Sequence, residues 1–339
     1  MALLASSTPV AAVTTFVAHA SISVGSGSAS APAATYFDPA GHLWVANSND
    51  GTIQRISGLG STTVVKPALS VGQIPSAMVS DHLGNLWVAN YNDGTVQEIT
   101  NTGGTNPHVQ PPISVGSGMN SGPTALAVDH SGNLWVANYL DGTVQELALG
   151  GTPAVKTPID VGSGAGSQPA ALVVDSANDL WVSNFNDGSI QKLTSIDSAP
   201  SVQGEILVGT GPSSGPLGMT IDSSGHLWVA LSGDGTVQKI LRITGVTPTA
   251  KTIIAVGKDA SAAPGSLIFD LAGNLWIQCD GAGNVRKLSF PLGLPPVLGK
   301  GHFVGKSPLL ASTLSISPNG NLWFSNYNAG TIQEFQLVA

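Results

Sequence analysis

Apolar and polar residues alternate along this chain in short runs, punctuated by Gly, Asp, Asn and Pro. The stretch from residue 123 shows the pattern. PTALAV (123–128) reads as a first strand and Asp129-His130-Ser131-Gly132 as a turn. NLWVANY (133–139) alternates and is rich in β-formers. Asp141-Gly142 is a hairpin signal, because Gly accepts the positive φ that such turns require. TVQEL (143–147) is a third strand, and Ile159-Asp160-Val161-Gly162 ends a fourth after a loop containing Gly and Pro.

This unit is written seven times. Trp44, Trp87, Trp135, Trp181, Trp228, Trp276 and Trp323 each follow a leucine, at spacings of 43, 48, 46, 47, 48 and 47 residues. A period of that length over a whole chain marks an array of one supersecondary unit. Four antiparallel strands per unit, seven times, predict an all-β, seven-bladed β-propeller. Six units carry Asp six residues before the Trp (Asp38, Asp81, Asp129, Asp175, Asp222, Asp270), and the seventh has Ser317. These aspartates are read as acceptors for turn N–H groups rather than as metal ligands. Two residues after the Trp stands a small residue in six units: Ala46, Ala89, Ala137, Ser183, Ala230 and Ser325. Residues two apart on a strand share a face, so the indoles are expected to fill the seams between blades.

A Val-Gly pair marks the fourth strand. It occurs at Val71, Val115, Val161, Val208, Val256 and Val304, and also at Val24, ahead of the first Trp unit. Residues 16–24 are therefore expected to supply the outer strand of the blade containing Trp323, closing the ring. The division predicted is an N-terminal extension, 1–15, and one propeller domain, 16–339.

Composition narrows the function. Charged residues are only 9% of 339, glycines number 42, and net charge is −8 without a basic run. A nucleic-acid groove needs clustered Lys and Arg, so that class is set aside, as is a membrane span, for which no apolar run is long enough. Cys279 is the single cysteine, which excludes an internal disulfide. Richness in Ser, Thr, Asn and Gly fits a bacterial extracellular or cell-surface protein, expected here as a monomer.

The motif D-x-x-G-[NH]-L-W-V-A-N followed by D-G-T-[VI]-Q resembles the NHL-repeat propellers. It is also similar to the streptogramin lyase (virginiamycin B lyase) family of seven-bladed propellers. Gly320-Asn321-Leu322-Trp323-Phe324-Ser325 with Gly330-Thr331-Ile332 lies nearest that second pattern. The resemblance covers residues 16–339 and implies the fold. It also implies a magnesium-assisted elimination by His and Glu at the top of the channel. Placed on predicted strands, His42, His82, His130 and His226 fall in the opposite hairpins. His108 and His302 fall between third and fourth strands, and His19 on the outermost strand. Glu98, Glu146 and Glu334 fall on third strands and Glu205 on a fourth. A His base with nearby carboxylates is not assembled by that placement, so no catalytic residue is carried over. The Glu/Asp/Asn metal cluster of lactonase-type propellers is not assembled either.

Candidate ligand residues lie three and four positions after the Trp. The first set is Asn47, Asn90, Asn138, Asn184 and Asn326; the second is Tyr91, Tyr139, Phe185 and Tyr327. Together they form a polar and aromatic crescent suited to a glycan, peptide or small polar ligand. Their alternative role is to cap strand ends. The unit of Trp276 departs most, with Gln278, Cys279 and Asp280, with Arg286 for the repeated Gln, and with Lys258 and Asp259 in the preceding loop. Cys279 is expected buried and inert. Gln54, Gln97, Gln145, Gln191, Gln238 and Gln333 are read as hydrogen bonding along the third strand, and the charges after them as a solvated rim. The leading expectation is a non-catalytic binding module for such a ligand or for a protein partner. The alternative is a streptogramin-lyase-like or lactonase-like enzyme using a divalent metal such as Mg or Ca at the channel mouth. A third reading is a purely structural segment of a larger surface protein.

Overall fold

The computed structural model describes residues 15–59, 62–245, 248–257, 260–292, 294–304 and 313–338. The strands form seven separate antiparallel sheets, one for each Trp, numbered here as blades one (Trp44) to seven (Trp323). In blade three the strands are Pro123–Val128, Leu134–Asn138 and Thr143–Ala148, with an outer strand in two pieces, Ala154–Val155 and Ile159–Asp160. Such a broken outer strand recurs in every blade but the fifth, where Thr249–Ala255 is continuous. The break refines the four-strand expectation. In blade three Gln145 Nε2 donates to Lys156 O in this gap, at 2.6 Å.

The ring closes as the Val-Gly markers imply. Thr15–Ala18 and Ile22–Ser23 both pair antiparallel with Thr331–Val338, the third strand of blade seven. Val24, 1% exposed, then packs with Trp323 and Ile332 of blade seven and with Leu43, Val45 and Ile56 of blade one. The two chain ends thus share one sheet, and the third strand of blade seven has no open edge.

The core lies between blades. Trp44 and Ala46 pack on Met78, Leu86, Val88 and Ile99 of the next blade, and Trp87 with Ala89 on Leu134, Val136 and Leu147. All seven indoles are at most 2% exposed. A buried indole removes about 150–250 Å² from water, an upper estimate on the order of 4–6 kcal/mol before ordering costs.

Each of the six aspartates does more than hold a turn. One carboxylate oxygen accepts the main-chain N–H four residues on, at 2.8–3.1 Å. The other accepts the indole Nε1–H at 2.9–3.1 Å. One side chain therefore fixes both the lower hairpin and the ring that fills the seam. The charges expected to form a solvated rim are instead packed under the indoles. Arg55 is 6% and Glu334 7% exposed. Arg55, Lys192, Lys239 and Lys287 lie 5.2–5.8 Å from the ring centroids of Trp44, Trp181, Trp228 and Trp276. Cross-strand pairing puts each cation directly opposite its Trp, where the negative face of the ring attracts it.

Candidate functional site

The upper face is built from the hairpins between second and third strands and the loops entering each inner strand. The loop after Val24 turns at Gly25, φ 54°. A side chain there would collide with the Asp50 carboxylate and with Ser30. Asp50 accepts Ser26 N and Ser26 Oγ, both at 2.7 Å. Asp93 accepts Gln73 N, and Asp141, Asp187 and Asp234 hold Ser117, Ser163 and Thr210 through both groups, at 2.6–2.8 Å. The expected Gln ring adds a second tie. Gln54, Gln97, Gln145, Gln191 and Gln238 accept the N–H of the Val-Gly glycine at 2.7–2.9 Å. The clamping aspartates stand six residues after the Trp. That regularity is visible in the sequence, but Asp-Gly there reads only as a turn.

The candidate asparagines lie beneath this surface. Asn47, Asn90, Asn138 and Asn184 are 0% exposed, and Asn326 is partly buried. Each Nδ2 donates to the hydroxyl that opens the third strand (Thr52, Thr95, Thr143, Ser189, Thr331) at 3.1–3.3 Å. The amide oxygens of the four buried ones accept no hydrogen bond.

The next position reaches the rim. Tyr91, Tyr139, Phe185 and Tyr327 are partly exposed. Each of the first three leans onto the entry loop of the following blade. Tyr91 lies beside Gly122 and Phe185 beside Gly215, where a Cβ would come within 3.0 Å of each ring. Tyr139 donates its hydroxyl to Gln168 Oε1 at 2.9 Å. Burial raises the phenol pKa of both tyrosines, and the neighbouring Tyr91 raises that of Tyr139 further. Three consecutive blades thus carry an unbroken aromatic arc.

Blade six, across the ring from blades two and three, presents Asp280 at the same position. Asp280 is 3% exposed, and Gln278 Nε2 donates to its Oδ1 at 3.2 Å. Gln278, itself 2% exposed, keeps an Oε1 without a partner. Gly265 leaves room for this carboxylate, since a Cβ there would meet Asp280 Oδ2. Cys279 is fully buried, and burial pushes its thiol up to about 12, with Arg286 opposing and Asp280 adding to the rise. Lys258 and Asp259 lie outside the described residues. Ala282 and Ala329 occupy the clamp positions of blades six and seven.

The histidines sit elsewhere. His42 and His226 immediately precede the second strands at the lower hairpins and bond to Asp38 and Asp222, while His82 and His130 lie within the corresponding lower turns. His108 opens the outer strand of blade two, and His19 lies between the closing pieces. His302 is on the outer strand of blade six rather than before it. Its ring packs edge-on against Phe335 at 6.1 Å, and burial lowers its pKa. Glu98, Glu146 and Glu334 stand opposite indoles, and Glu205 lies in the gap between the outer-strand pieces Ser201–Val202 and Ile206–Leu207. Among the described residues, no three His, Cys, Asp or Glu side chains converge as a metal site, and no helix is long and apolar enough to cross a membrane.

Solved structures share this fold. Virginiamycin B lyase from Staphylococcus aureus is 16% identical, with 96% of this chain and 100% of that chain covered and a TM-score of 0.76. A catalytically inactive histidine-to-alanine variant of that enzyme, with quinupristin, is 15% identical over 96% and 100%, with a TM-score of 0.76. A putative 6-phosphogluconolactonase from Bacteroides uniformis is 15% identical over 85% and 92%, with a TM-score of 0.67. No curated protein sequence matches the chain. The model of the virginiamycin B lyase family matches residues 17–289, which span blades one to five and the three inner strands of blade six, and the chain belongs to that family.

Proposed function

We propose that this chain is a cell-surface or extracellular binding propeller, which takes a peptide- or glycan-like ligand at the upper mouth of its channel without lyase chemistry. The observation that carries this reading is the arc of partly exposed Tyr91, Tyr139 and Phe185 at the rim of three consecutive blades. Partly exposed aromatic rings offer a ligand large contact area at small entropic cost. The seven histidines stand at lower hairpins and outer strands, so a proton at the mouth would have to move without imidazole.

The test is calorimetry with quinupristin and Mg²⁺, run beside mass spectrometry of the recovered depsipeptide. Binding is expected without ring opening, weakened about tenfold or more by Tyr139→Ala. Ring opening by the intact chain overturns the non-catalytic reading. Unchanged affinity in Tyr139→Ala overturns the placement of the site.

A metal-assisted enzyme is the second reading, favoured by the buried Asp280 carboxylate beside the unpaired Oε1 of Gln278. Titration with Mg²⁺ or Ca²⁺ alone separates the two. A tight site lost in Asp280→Asn supports the enzyme.

A further inference from the structure

Blade one carries a buried cation without a counter-charge. Arg55 is 6% exposed and stands opposite Trp44, its guanidinium carbon 5.8 Å from the indole centroid. A guanidinium has five N–H donors and cannot shed its charge. Nη1 donates to Thr102 O of blade two, while the buried Nε has no partner. The lysines at the same place on blades four and five are neutralised, Lys192 by Asp179 at 3.1 Å and Lys239 by Asp222 at 2.9 Å. Arg55 makes no ion pair among the described residues. Outside them the sequence holds one acidic side chain, Asp259, which follows the strands of blade five. Buried charges are ordinarily paired, because desolvation penalises an isolated one heavily. The chain thus offers Arg55 an aromatic face and a carbonyl, but no anion.

Arg55 lines a cavity of about 180 Å³ in the seam between blades one and two. Trp44 and Lys66 line it from blade one, Lys66 from the gap between the outer-strand pieces Val64–Val65 and Leu69–Ser70. Thr105 and Asn106, in the loop before the outer strand of blade two, border the other side. No acidic residue lines the cavity, and Lys66, which is exposed, makes no ion pair among the described residues either. Cavities at seams recur in this fold. The one beside Trp228 is also lined by a cation, Lys239, but its lining includes the Asp222 carboxylate that pairs with it. The seam of Arg55 differs in its charge, not in its shape.

These groups select a chemistry. Two cations with no acid between them favour an anion, and a dianion over a monoanion. The planar fork of Arg matches a pair of oxygens on one centre. The Thr105 hydroxyl and the Asn106 amide add neutral donors. The volume lies below the roughly 300–1,000 Å³ of organic-ligand pockets, which points to a small ion. We propose that this seam binds a small tetrahedral dianion, inorganic phosphate or sulfate, between Arg55 and Lys66. The indole face and the Thr102 carbonyl hold the guanidinium in place before the anion arrives, which lowers the cost of binding. The site is separate from the channel mouth, and its test does not depend on the function proposed above.

The chain has three arginines, Arg55, Arg242 and Arg286, so the Nε–H resonances of ¹⁵N-labelled protein report the site directly, with Arg55→Lys assigning the signal. Inorganic phosphate and sulfate are the probes, and acetate and chloride the controls, all at one ionic strength so that screening is constant. A saturable shift of the Arg55 signal by at least one dianion is expected, at least tenfold tighter than by acetate or chloride, while the other two signals hold still. Arg55→Lys keeps the charge and loses the fork, and should weaken binding, followed by calorimetry, about tenfold or more. Lys66→Ala removes an exposed side chain. It should weaken binding about tenfold with an unchanged unfolding midpoint, and keeps the test decisive if Arg55→Lys folds poorly. No saturable shift with either dianion overturns the proposal. Acetate or chloride binding as tightly as the dianions, or dianion affinity unchanged in Lys66→Ala, overturns it equally.

Discussion

Replacing Asp129 by Ala should cost about 3 kcal/mol of stability, and the sum can be worked from its contacts. Asp129 is 0% exposed. It accepts Trp135 Nε1 at 3.0 Å, Ser131 N at 3.0 Å and Asn133 N at 2.8 Å. Water can replace it at the exposed Ser131, so little is lost there. Trp135 is fully buried, and its N–H would be orphaned, which costs about 1.5–3 kcal/mol for a bond to a charged acceptor. Loosening of the turn adds about 1 kcal/mol. One effect opposes these. Burial raises the Glu146 carboxyl pKa, Lys156 lowers it, and Asp129 raises it again, so removing Asp129 relieves Glu146. A Glu146→Gln background removes that complication. Guanidinium unfolding followed by circular dichroism, with m-values compared, gives the cost. A double-mutant cycle with Trp135→Phe isolates the tether, with an expected coupling of about 1–2 kcal/mol. A loss below about 0.5 kcal/mol, or a coupling near zero, would refute the claim that the carboxylate anchors the indole.

Deleting residues 1–25 removes both closing pieces and Val24, exposes the edge of Thr331–Val338, and should abolish cooperative thermal unfolding; an unchanged midpoint would sink the closure argument. Asp222 should protect against acid. Burial alone would raise its pKa, but bonds from Trp228, the His226 backbone and Lys239 outweigh that and bring it from 3.8 to about 2. The folded value is the lower one, so about 2 kcal/mol of stability is present above pH ~4 and is lost as pH falls toward ~2. Asp222→Asn should therefore differ from the parent at pH 7 and converge with it near pH 2. Cys279, buried with its thiol pushed up to about 12, should react with a disulfide reagent only at the rate of unfolding; prompt labelling of native protein would contradict its placement.

The period and the Val-Gly markers made the ring and its closure readable, because both depend on backbone geometry that repeats. The role of Trp as seam filler was also readable, since the small residue two positions on lies on the same face. Contacts between units were hidden. Nothing local says that Asp129 reaches the indole six residues away, that Asp141 in the hairpin holds Ser117 in the entry loop, or that Lys239 lies under Trp228. Each depends on three-dimensional register. The candidate site was legible in position but not in depth. Asn138 and Tyr139 are adjacent in sequence, yet Asn138 ends a fully buried strand while Tyr139 opens the hairpin turn and stands at the rim.

The departures from the repeat concern the two faces differently. On the upper face, charge-assisted clamps tie the entry loop to the hairpin in blades one to five. Alanine replaces the clamp in blades six and seven, as Ala282 and Ala329. The aromatic arc stands wholly on clamped blades, so its rings are held before any ligand arrives, which lowers the entropic cost of binding. Asp280 stands on a blade without that clamp; its main-chain N–H keeps the repeated bond to the entry loop, at Ala263 O, 3.1 Å, and Gln278 donates to its carboxylate. On the lower face the single missing aspartate, at Ser317, leaves its mark one seam from the chain ends, where Trp323 is the indole without its tether.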